Sequence, residues 1–280
     1  MKNLFLISIL CLLSFDLLSY SKEKDIYEPV KIPEKNEVFD SKKILKDQQA
    51  FYVAGSFGYL FASVPDISII QDDFTNAGIA GLSPVSGFFN FRLELGYENL
   101  LKHFDVYGVV GYLMTSTKSG TGDISYGLEP VNSTIGFGLY SIPLLIGAKY
   151  SFYNSDVVKL GTKIDIGTSI IRGNIDVRLN GTSSLQIQNS SMSYGGMGLS
   201  GDLFVFVETK ISRMFNLEFD LGYSITNLSN VKITGSSGNF TTQFEPGKQL
   251  MVYDSSTGQS TPFNVKINGL VFSLSAKMLF

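Results

Sequence analysis

Residues 269–280, GLVFSLSAKMLF, alternate apolar side chains with small or charged ones. Apolar residues occupy every second position from Leu270 to Phe280, and serines and Lys277 lie between them. Successive side chains of a β-strand point to opposite faces of a sheet, so a period of two predicts a strand with one apolar face. An unpaired apolar edge invites aggregation, and this strand therefore needs a partner on each side.

The same alternation runs through the chain from residue 51 onward. Residues 51–63 (FYVAGSFGYLFAS) and 85–98 (VSGFFNFRLELGYE) are its first two examples. Strands of about ten or more residues are long for a soluble sheet and suit tilted strands that cross a membrane. Eight such strands are predicted in all, and the other six begin near Phe104, Ile135, Val158, Leu199, Leu217 and Leu270.

The links between these strands alternate in length. Three are short: ENLLKH (98–103), YNSD (153–156) and SRMFN (212–216). The four between them are long and rich in Gly, Ser, Thr and Asn. Short turns at one end and long loops at the other predict an all-β, up-and-down antiparallel transmembrane barrel, closed by pairing of its first and last strands.

Two of the long loops contain signs of further strands. Asn180-Gly181 is a turn signal between two alternating segments, and it predicts a hairpin tip projecting beyond the membrane. A second hairpin is predicted inside the last long loop, and whether it adds strands to the barrel is left open.

Volume decides which face of the strands points outward. A soluble barrel would have to place Phe57, Phe91, Leu93 and many more bulky side chains inside an eight-stranded lumen, which has room only for ordinary side-chain filling. The opposite faces are small and fit a narrow lumen, so we expect the bulky side chains to face lipid. This small set comprises Ala54, Ser56, Gly58, Gly96, Gly111, Gly147, Gly161, Gly167, Ser169, Gly222, Ser224, Ser273 and Ser275.

The charged residues of the strands lie on the same face as the small residues. An Arg or Lys on the lipid face costs about 2–4 kcal/mol near the bilayer centre, whereas charges inside the barrel can pair across strands. We interpret them as a lumen network of ion pairs, and a proton or ion path is the alternative. The predicted network comprises Arg92, Glu94, Lys163, Asp165, Asp202, Glu208, Glu218, Asp220 and Lys277, and Asp105, Lys149, Lys159 and Lys210 share its face.

Aromatic residues are expected to form a belt at each membrane interface. The belt at the short-turn end is assigned to Tyr97, Phe104, Tyr150, Phe152, Phe215 and Phe280. The belt at the long-loop end is assigned to Tyr59, Phe61, Phe89, Tyr112, Phe137, Tyr140 and Tyr223.

The amino-terminal residues predict export. Lys2 and the apolar run that follows, with small residues at 19 and 21, indicate a cleaved signal peptide over 1–21, and an uncleaved anchor is the alternative. Residues 22–49 are charged, contain Pro29 and Pro33, and predict a flexible periplasmic leader. The barrel is expected over 50–280. Cleavage would remove Cys11, the only cysteine, and with it any disulfide.

The chemistry-bearing residues are few. His103 is the only histidine and lies in a short link, where no nucleophile or orienting partner is evident. Asp72 and Asp73 fall short of a calcium ligand set. We therefore predict no catalytic, cofactor or metal site. The formal net charge of −3 gives no basic excess for a nucleic-acid partner.

The chain resembles the small bacterial outer-membrane β-barrel proteins, the group that includes the transmembrane domain of outer membrane protein A and the opacity-type adhesins. Residues 140–152, YSIPLLIGAKYSF, resemble an Ile-Pro-led strand of these families, and Pro143 within it predicts a bulge or weak pairing. The resemblance also implies a carboxy-terminal assembly signal that is read by the barrel-insertion machinery. Here its residues would be Phe272, Leu274, Met278 and Phe280.

The function expected from these features is non-enzymatic. A barrel in the cell outer membrane, surrounded by its lipid, would display four long polar loops for adhesion to a host or cell-surface ligand, or for envelope integrity. A narrow channel or conduit for ions or a small hydrophobic molecule is the alternative. A lipid-modifying enzyme is a third hypothesis.

Overall fold

A computed structural model describes residues 50–126, 129–180, 189–254 and 258–280. The predicted signal peptide and leader lie outside the described residues, as do Gly181 and the rest of the predicted tip of the third long loop. Their assignments stay predictions.

Eight long strands form the barrel wall. They are β1 (Ala50–Ser63), β3 (Phe88–Leu101), β4 (Phe104–Met114), β6 (Glu129–Asn154), β7 (Val158–Asn180), β8 (Ser190–Lys210), β9 (Phe215–Leu228) and β13 (Val265–Leu279). Each pairs antiparallel with its neighbour in this order. The prediction of eight up-and-down strands is confirmed.

The first and last strands close the ring. β1 pairs antiparallel with β13 along its length, from Tyr52 opposite Leu279 to Ser63 opposite Asn268. Beyond the strand, the backbone N–H of Phe280 donates to the carbonyl oxygen of Phe51 at 2.9 Å. Closure gives both strands a partner on each side, as the apolar alternation of residues 269–280 required.

Shorter elements fill the long connections. They are α1 (Pro65–Asn76), β2 (Ile79–Ala80), β5 (Lys118–Tyr126), β10 (Lys232–Ser237), a 3₁₀ turn (Gly238–Thr242), β11 (Met251–Asp254) and β12 (Gln259–Pro262). β5 pairs with β6 and β10 with β8, beyond the point where the barrel neighbours end. β11 and β12 form the predicted hairpin of the last loop as a separate two-stranded sheet. Within the described ranges, no helix is long and apolar enough to cross a membrane.

The outer face of the wall is apolar, as the volume argument predicts. Phe57, Phe91, Leu93 and Leu274 expose between 44% and 57% of their surface on this face. A continuous exposed band of this kind is unstable in water and suits the hydrocarbon of a bilayer. The chain is therefore a transmembrane β-barrel of the outer-membrane type.

One aromatic assignment is wrong. Phe137 is assigned to the outer belt at the long-loop end, but only 1% of it is exposed, and it lies on the inner face of β6 with Leu139 and Ser141. The period of two holds, because Phe137 has the same parity as the inward Lys149 of its strand. Tyr140, which has the opposite parity, faces outward and is half-buried.

The interior is not filled by small and ionised groups alone, which corrects the expected lumen. Its short-turn half holds the charges, but its long-loop half is an apolar core that includes Leu60, Phe88, Leu113 and Val271. This core continues into the connections, where Ile67 of α1, Ile79 of β2 and Phe263 before β13 are also buried. The described parts of the long loops therefore form a packed cap, and not the purely polar loops that were expected.

Pro143 weakens one ladder without a bulge. β4 and β6 keep one register on both sides of it, but no bridges form at Gly111 and Tyr112, opposite Pro143 and Ile142. On its other side Pro143 pairs in register with Ser169. A proline lacks the N–H that one ladder needs, so the interruption falls on a single side.

Candidate functional site

The inner wall at the short-turn half carries a dense set of buried ion pairs. Seven of the eight strands supply its charges, and β1 supplies the ring of Tyr52. Because each strand presents alternate residues inward, charges two positions apart stack along the bore. The cations are Arg92, Lys149, Lys159, Lys163 and Lys277, and the carboxylates are Glu94, Glu98, Asp105, Asp165, Asp202, Glu208, Glu218 and Asp220.

Arg92 on β3 neutralises two carboxylates on the other side of the bore. Asp165 on β7 and Asp202 on β8 are directly opposite each other in register, a position at which like charges repel. The Arg92 guanidinium contacts Asp165 and lies 3.2 Å from Asp202. The Tyr107 hydroxyl donates to Asp165 Oδ1 at 2.7 Å, and the guanidinium lies 5.2 Å from the ring centroid of Phe204.

Lys149 on β6 neutralises a second pair of facing carboxylates, nearer the short turns. Glu208 on β8 and Glu218 on β9 are directly opposite each other, and the Lys149 ammonium contacts both. Asn216 adds a neutral donor, with Nδ2 at 2.7 Å from Glu208 Oε1. The ammonium lies 4.0 Å from the ring centroid of Phe206, which supplies a cation–π contact.

Lys163 on β7 has three carboxylate partners. Its Nζ lies 2.8 Å from Glu218, 3.1 Å from Glu94 and 3.4 Å from Asp220. Asp220 also accepts a hydrogen bond from the Ser273 hydroxyl at 3.1 Å. The shared partner Glu218 joins the Lys163 and Lys149 groups into one cluster.

The layer nearest the short turns holds two lysines. Lys277 Nζ lies 3.2 Å from Glu98 and 3.3 Å from Glu208, and Lys159 contacts the same Glu98. Asp105, 3.8 Å from Lys277, also accepts the backbone N–H of Asn99 at 2.8 Å and so fastens the β3–β4 turn.

These groups leave little free space. A cavity of about 10 Å³ beside Asn90, Arg92 and Asp202 is room for a single water. Above it the apolar core closes the long-loop half. Along the bore formed by the described residues, the interior is packed rather than open.

The cap is attached to the barrel by apolar packing and a few polar contacts. Phe74 of α1 packs on Phe137 of β6, with ring centroids 6.0 Å apart. The carboxylate of Asp66, in the first turn of α1, accepts the backbone N–H of Asn264 at 2.7 Å. Gln71, nearly fully buried, donates from Nε2 to the Ser83 carbonyl at 3.1 Å.

All nine residues of the predicted lumen network lie on the inner wall, and the structure brings them into contact. Glu98 was missed, although it continues the inward series of Arg92, Glu94 and Gly96. Tyr52 lies on the inner face with Ala54, Ser56 and Gly58, as the alternation predicts. Tyr107, Phe204 and Phe206 were missed as inward rings, because the inner face was expected to carry only small and ionised groups. Their signal is parity: each shares its strand's face with a charge, as Phe206 does with Glu208.

The remaining candidates lie apart from this network. His103 is in the β3–β4 turn at the short-turn end, with φ of 65°, and its carbonyl accepts the N–H of Ser151. Asp72 and Asp73 lie in α1 rather than in an open loop. Among the described residues, no three His, Cys, Asp or Glu side chains are grouped to hold a metal ion.

The predicted assembly-signal residues lie at the closing seam. Phe272, Leu274 and Met278 face outward from β13, and the ring of Phe280 lies 6.1 Å from that of Phe51. Recognition of these residues by the insertion machinery stays a prediction.

Comparison with known proteins finds similarity of fold. No protein-family model matches the chain, and a search of curated proteins finds no match. Among solved structures, Neisserial surface protein A is 15% identical, with 83% of this chain and 99% of that chain covered and a TM-score of 0.38. A major outer membrane protein from Thermus thermophilus is 13% identical, with 83% and 99% covered and a TM-score of 0.45. Ail, the attachment invasion locus protein of Yersinia pestis, is 14% identical, with 82% and 98% covered and a TM-score of 0.34.

Proposed function

We propose that this chain is a non-enzymatic outer-membrane barrel whose packed cap serves as a surface for contact with other molecules outside the cell. One observation carries the proposal: the bore is filled, by ion pairs in one half and by an apolar core in the other. A filled barrel is a rigid support, and the residues that vary freely on such a scaffold are those of the loops it displays.

The β11–β12 hairpin is the part of the cap best suited to contact. Met251 and Tyr253 expose 47% and 56% of their surface on β11, while Val252 between them is buried in the core. An exposed aromatic ring on a fixed backbone is a favourable contact residue, because little side-chain entropy is lost when it binds. Binding to a host or cell-surface ligand would use this surface.

The contact function is tested with the purified barrel in lipid nanodiscs. Binding is measured against immobilised glycoproteins, polysaccharides and intact cells, for the native chain and for a Met251→Ser/Tyr253→Ser variant. We expect the variant to lose roughly tenfold or more in affinity for whatever the native chain binds, as a hot-spot residue does. Tyr253→Phe, which keeps the ring, is the matched control and should bind nearly as the native chain does.

A conduit for ions or a small hydrophobic molecule is the competing function. It requires both the cap and the ion-pair clusters to rearrange, since the bore is packed along its length. The native chain and a Glu94→Gln variant are compared by current measurements in planar bilayers. If the substitution changes the current and the native chain binds nothing in the panel, the protein is a conduit and not a contact surface. A lipid-modifying activity would require His103, and unchanged lipid profiles for His103→Ala would argue against it.

A further inference from the structure

The three short turns carry exposed aliphatic side chains, which is unexpected for turns that face water. Leu101 ends β3, Val157 precedes β7, and Ile211 and Met214 lie between β8 and β9. They expose between 52% and 67% of their surface. We call these four residues the aliphatic rim. An exposed apolar group of this kind marks an interaction surface.

The rim adjoins the aromatic belt of its own end. Leu101 follows Tyr97 by four residues on β3 and, after a register shift, is directly opposite Phe104, another residue of the belt. The lipid-facing band therefore does not end at the belt but continues into the turns. Tyr150, Phe152 and Phe280 of the belt are themselves exposed, so no gap separates the rim from the band.

Basic residues accompany the rim in two of the three turns. Lys102 follows Leu101 and Arg213 precedes Met214, and both are exposed. The turn between β6 and β7 differs, because it contains Asp156 and no basic residue. Lys210 donates its backbone N–H to the carbonyl oxygen of Val157 at 2.8 Å, but it has the inner-face parity of Glu208 and is half-buried. An aliphatic side chain beside a basic one is the pattern of segments that lie in the headgroup layer of a membrane.

We propose that the aliphatic rim inserts into the headgroup layer of the leaflet at the short-turn end, and that Lys102 and Arg213 bind the phosphates of anionic phospholipids there. For a barrel of this topology that leaflet faces the periplasm. The occupant follows from continuity with the lipid-facing band and from the charge of the two side chains. The proposal does not depend on what the cap binds.

The chain has no tryptophan, so a single introduced one reports its own surroundings. Leu101→Trp, Met214→Trp and Val157→Trp are compared in nanodiscs with Gln259→Trp, whose site is exposed on β12 at the other end. We expect the three rim variants to be quenched by brominated phospholipids and protected from aqueous acrylamide. Gln259→Trp should be quenched by acrylamide alone.

The role of the two basic side chains is tested by lipid preference. Competition between brominated anionic and brominated zwitterionic phospholipids should give about a fivefold preference for the anionic lipid at Leu101→Trp and Met214→Trp. Adding Lys102→Gln should abolish the preference at the first site and Arg213→Gln at the second. Val157→Trp should show no preference, because its turn lacks a basic side chain.

Two results would overturn the proposal. Acrylamide quenching at all rim sites equal to that at Gln259→Trp would mean that water covers the rim. Protection from acrylamide without quenching by brominated lipid would mean that protein covers it. Because the sites lie on three separate turns, a failure of one variant to fold leaves the test intact.

Discussion

The ammonium group of Lys163 on β7 lies 2.8 Å from Oε1 of Glu218 on β9, two strands away around the barrel. Contacts of this kind do not follow the backbone ladder, which joins only adjacent strands. They connect non-adjacent strands across the interior, and so they constrain the width of the bore as well as neutralising its charges.

Lys163→Met should be strongly destabilising. It would leave Glu94, Glu218 and Asp220 without their shared cation, and removing one partner of a buried ion pair costs about 3–5 kcal/mol. Urea unfolding of the barrel in lipid vesicles measures the change. Lys248→Met is the control, since Lys248 is 66% exposed and its pair with Glu245 should be worth about 0–1 kcal/mol. Equal losses for the two variants would contradict the interior network.

Tyr107→Phe should weaken the Arg92 layer. The hydroxyl donates to Asp165 Oδ1 at 2.7 Å in a buried site, and a hydrogen bond to a charged group contributes about 1.5–3 kcal/mol. Tyr112→Phe on the same strand removes an outward hydroxyl and should change stability by less than about 0.5 kcal/mol. The same unfolding measurement compares them, and a reversed order would mean that β4 is placed with the wrong face inward.

Gly147→Ala should destabilise the barrel through crowding. A methyl group there would overlap the ring of Tyr107 and the carboxylate of Asp165 on the inner wall. Overpacking of this kind costs about 1–3 kcal/mol. Gly55→Ala provides the comparison, because nothing lies within 4 Å of a Cβ at that outward position. It should be neutral or slightly stabilising, and a matching loss at Gly55 would argue that glycine is needed for a reason other than space.

Leu274→Arg should lower the stability of the folded barrel in lipid by about 2–4 kcal/mol, the cost of an arginine near the bilayer midplane. Asn268→Arg lies on the same face of β13 but near its long-loop end, where the cost falls to about 0–1 kcal/mol. Reversible unfolding from vesicles measures both. If the two substitutions cost the same, the outer face of β13 does not cross a hydrocarbon layer.

Asp66→Ala should loosen α1 without unfolding the barrel. The substitution removes the acceptor of the Asn264 N–H, a contact at 2.7 Å between the first turn of α1 and the start of β13. We expect faster hydrogen exchange of the α1 amides, by roughly tenfold for a contact worth about 1.5 kcal/mol. Asp66→Asn keeps an oxygen acceptor, so its α1 amides should be nearly as protected from hydrogen exchange as those of the native chain. Unchanged exchange in Asp66→Ala would show that apolar packing alone holds α1.

Alternation predicted the barrel wall because side-chain parity on a strand is a local property. Charged positions such as Arg92 and Glu94 fixed the inner face, and closure of β1 on β13 followed from the apolar edge of residues 269–280. Phe137 shows where residue type misleads. It has the parity of Gly147 and Lys149 on the same strand, which marks the inner face, whereas an aromatic ring near a strand end favours the lipid-facing belt. The ring points inward because the long-loop half of the bore is an apolar core.

The cap and the contacts across the bore could not be predicted in the same way. Ile67 and Phe263 are buried by packing between loops that are distant in sequence, and no period marks them. Which cation meets which carboxylate depends on the relative height of strands that are not neighbours. The register of each strand pair sets the height of one strand relative to the next, and these offsets add up around the ring.

The seam between β1 and β13 has a consequence for biogenesis. Without β13, strands β1 and β9 would each present a bare row of amide and carbonyl groups to the hydrocarbon. Completing the ring therefore requires pairing between the two barrel strands that are farthest apart in the sequence. Because contacts between distant residues slow folding, we expect this closure to limit the rate at which the barrel forms.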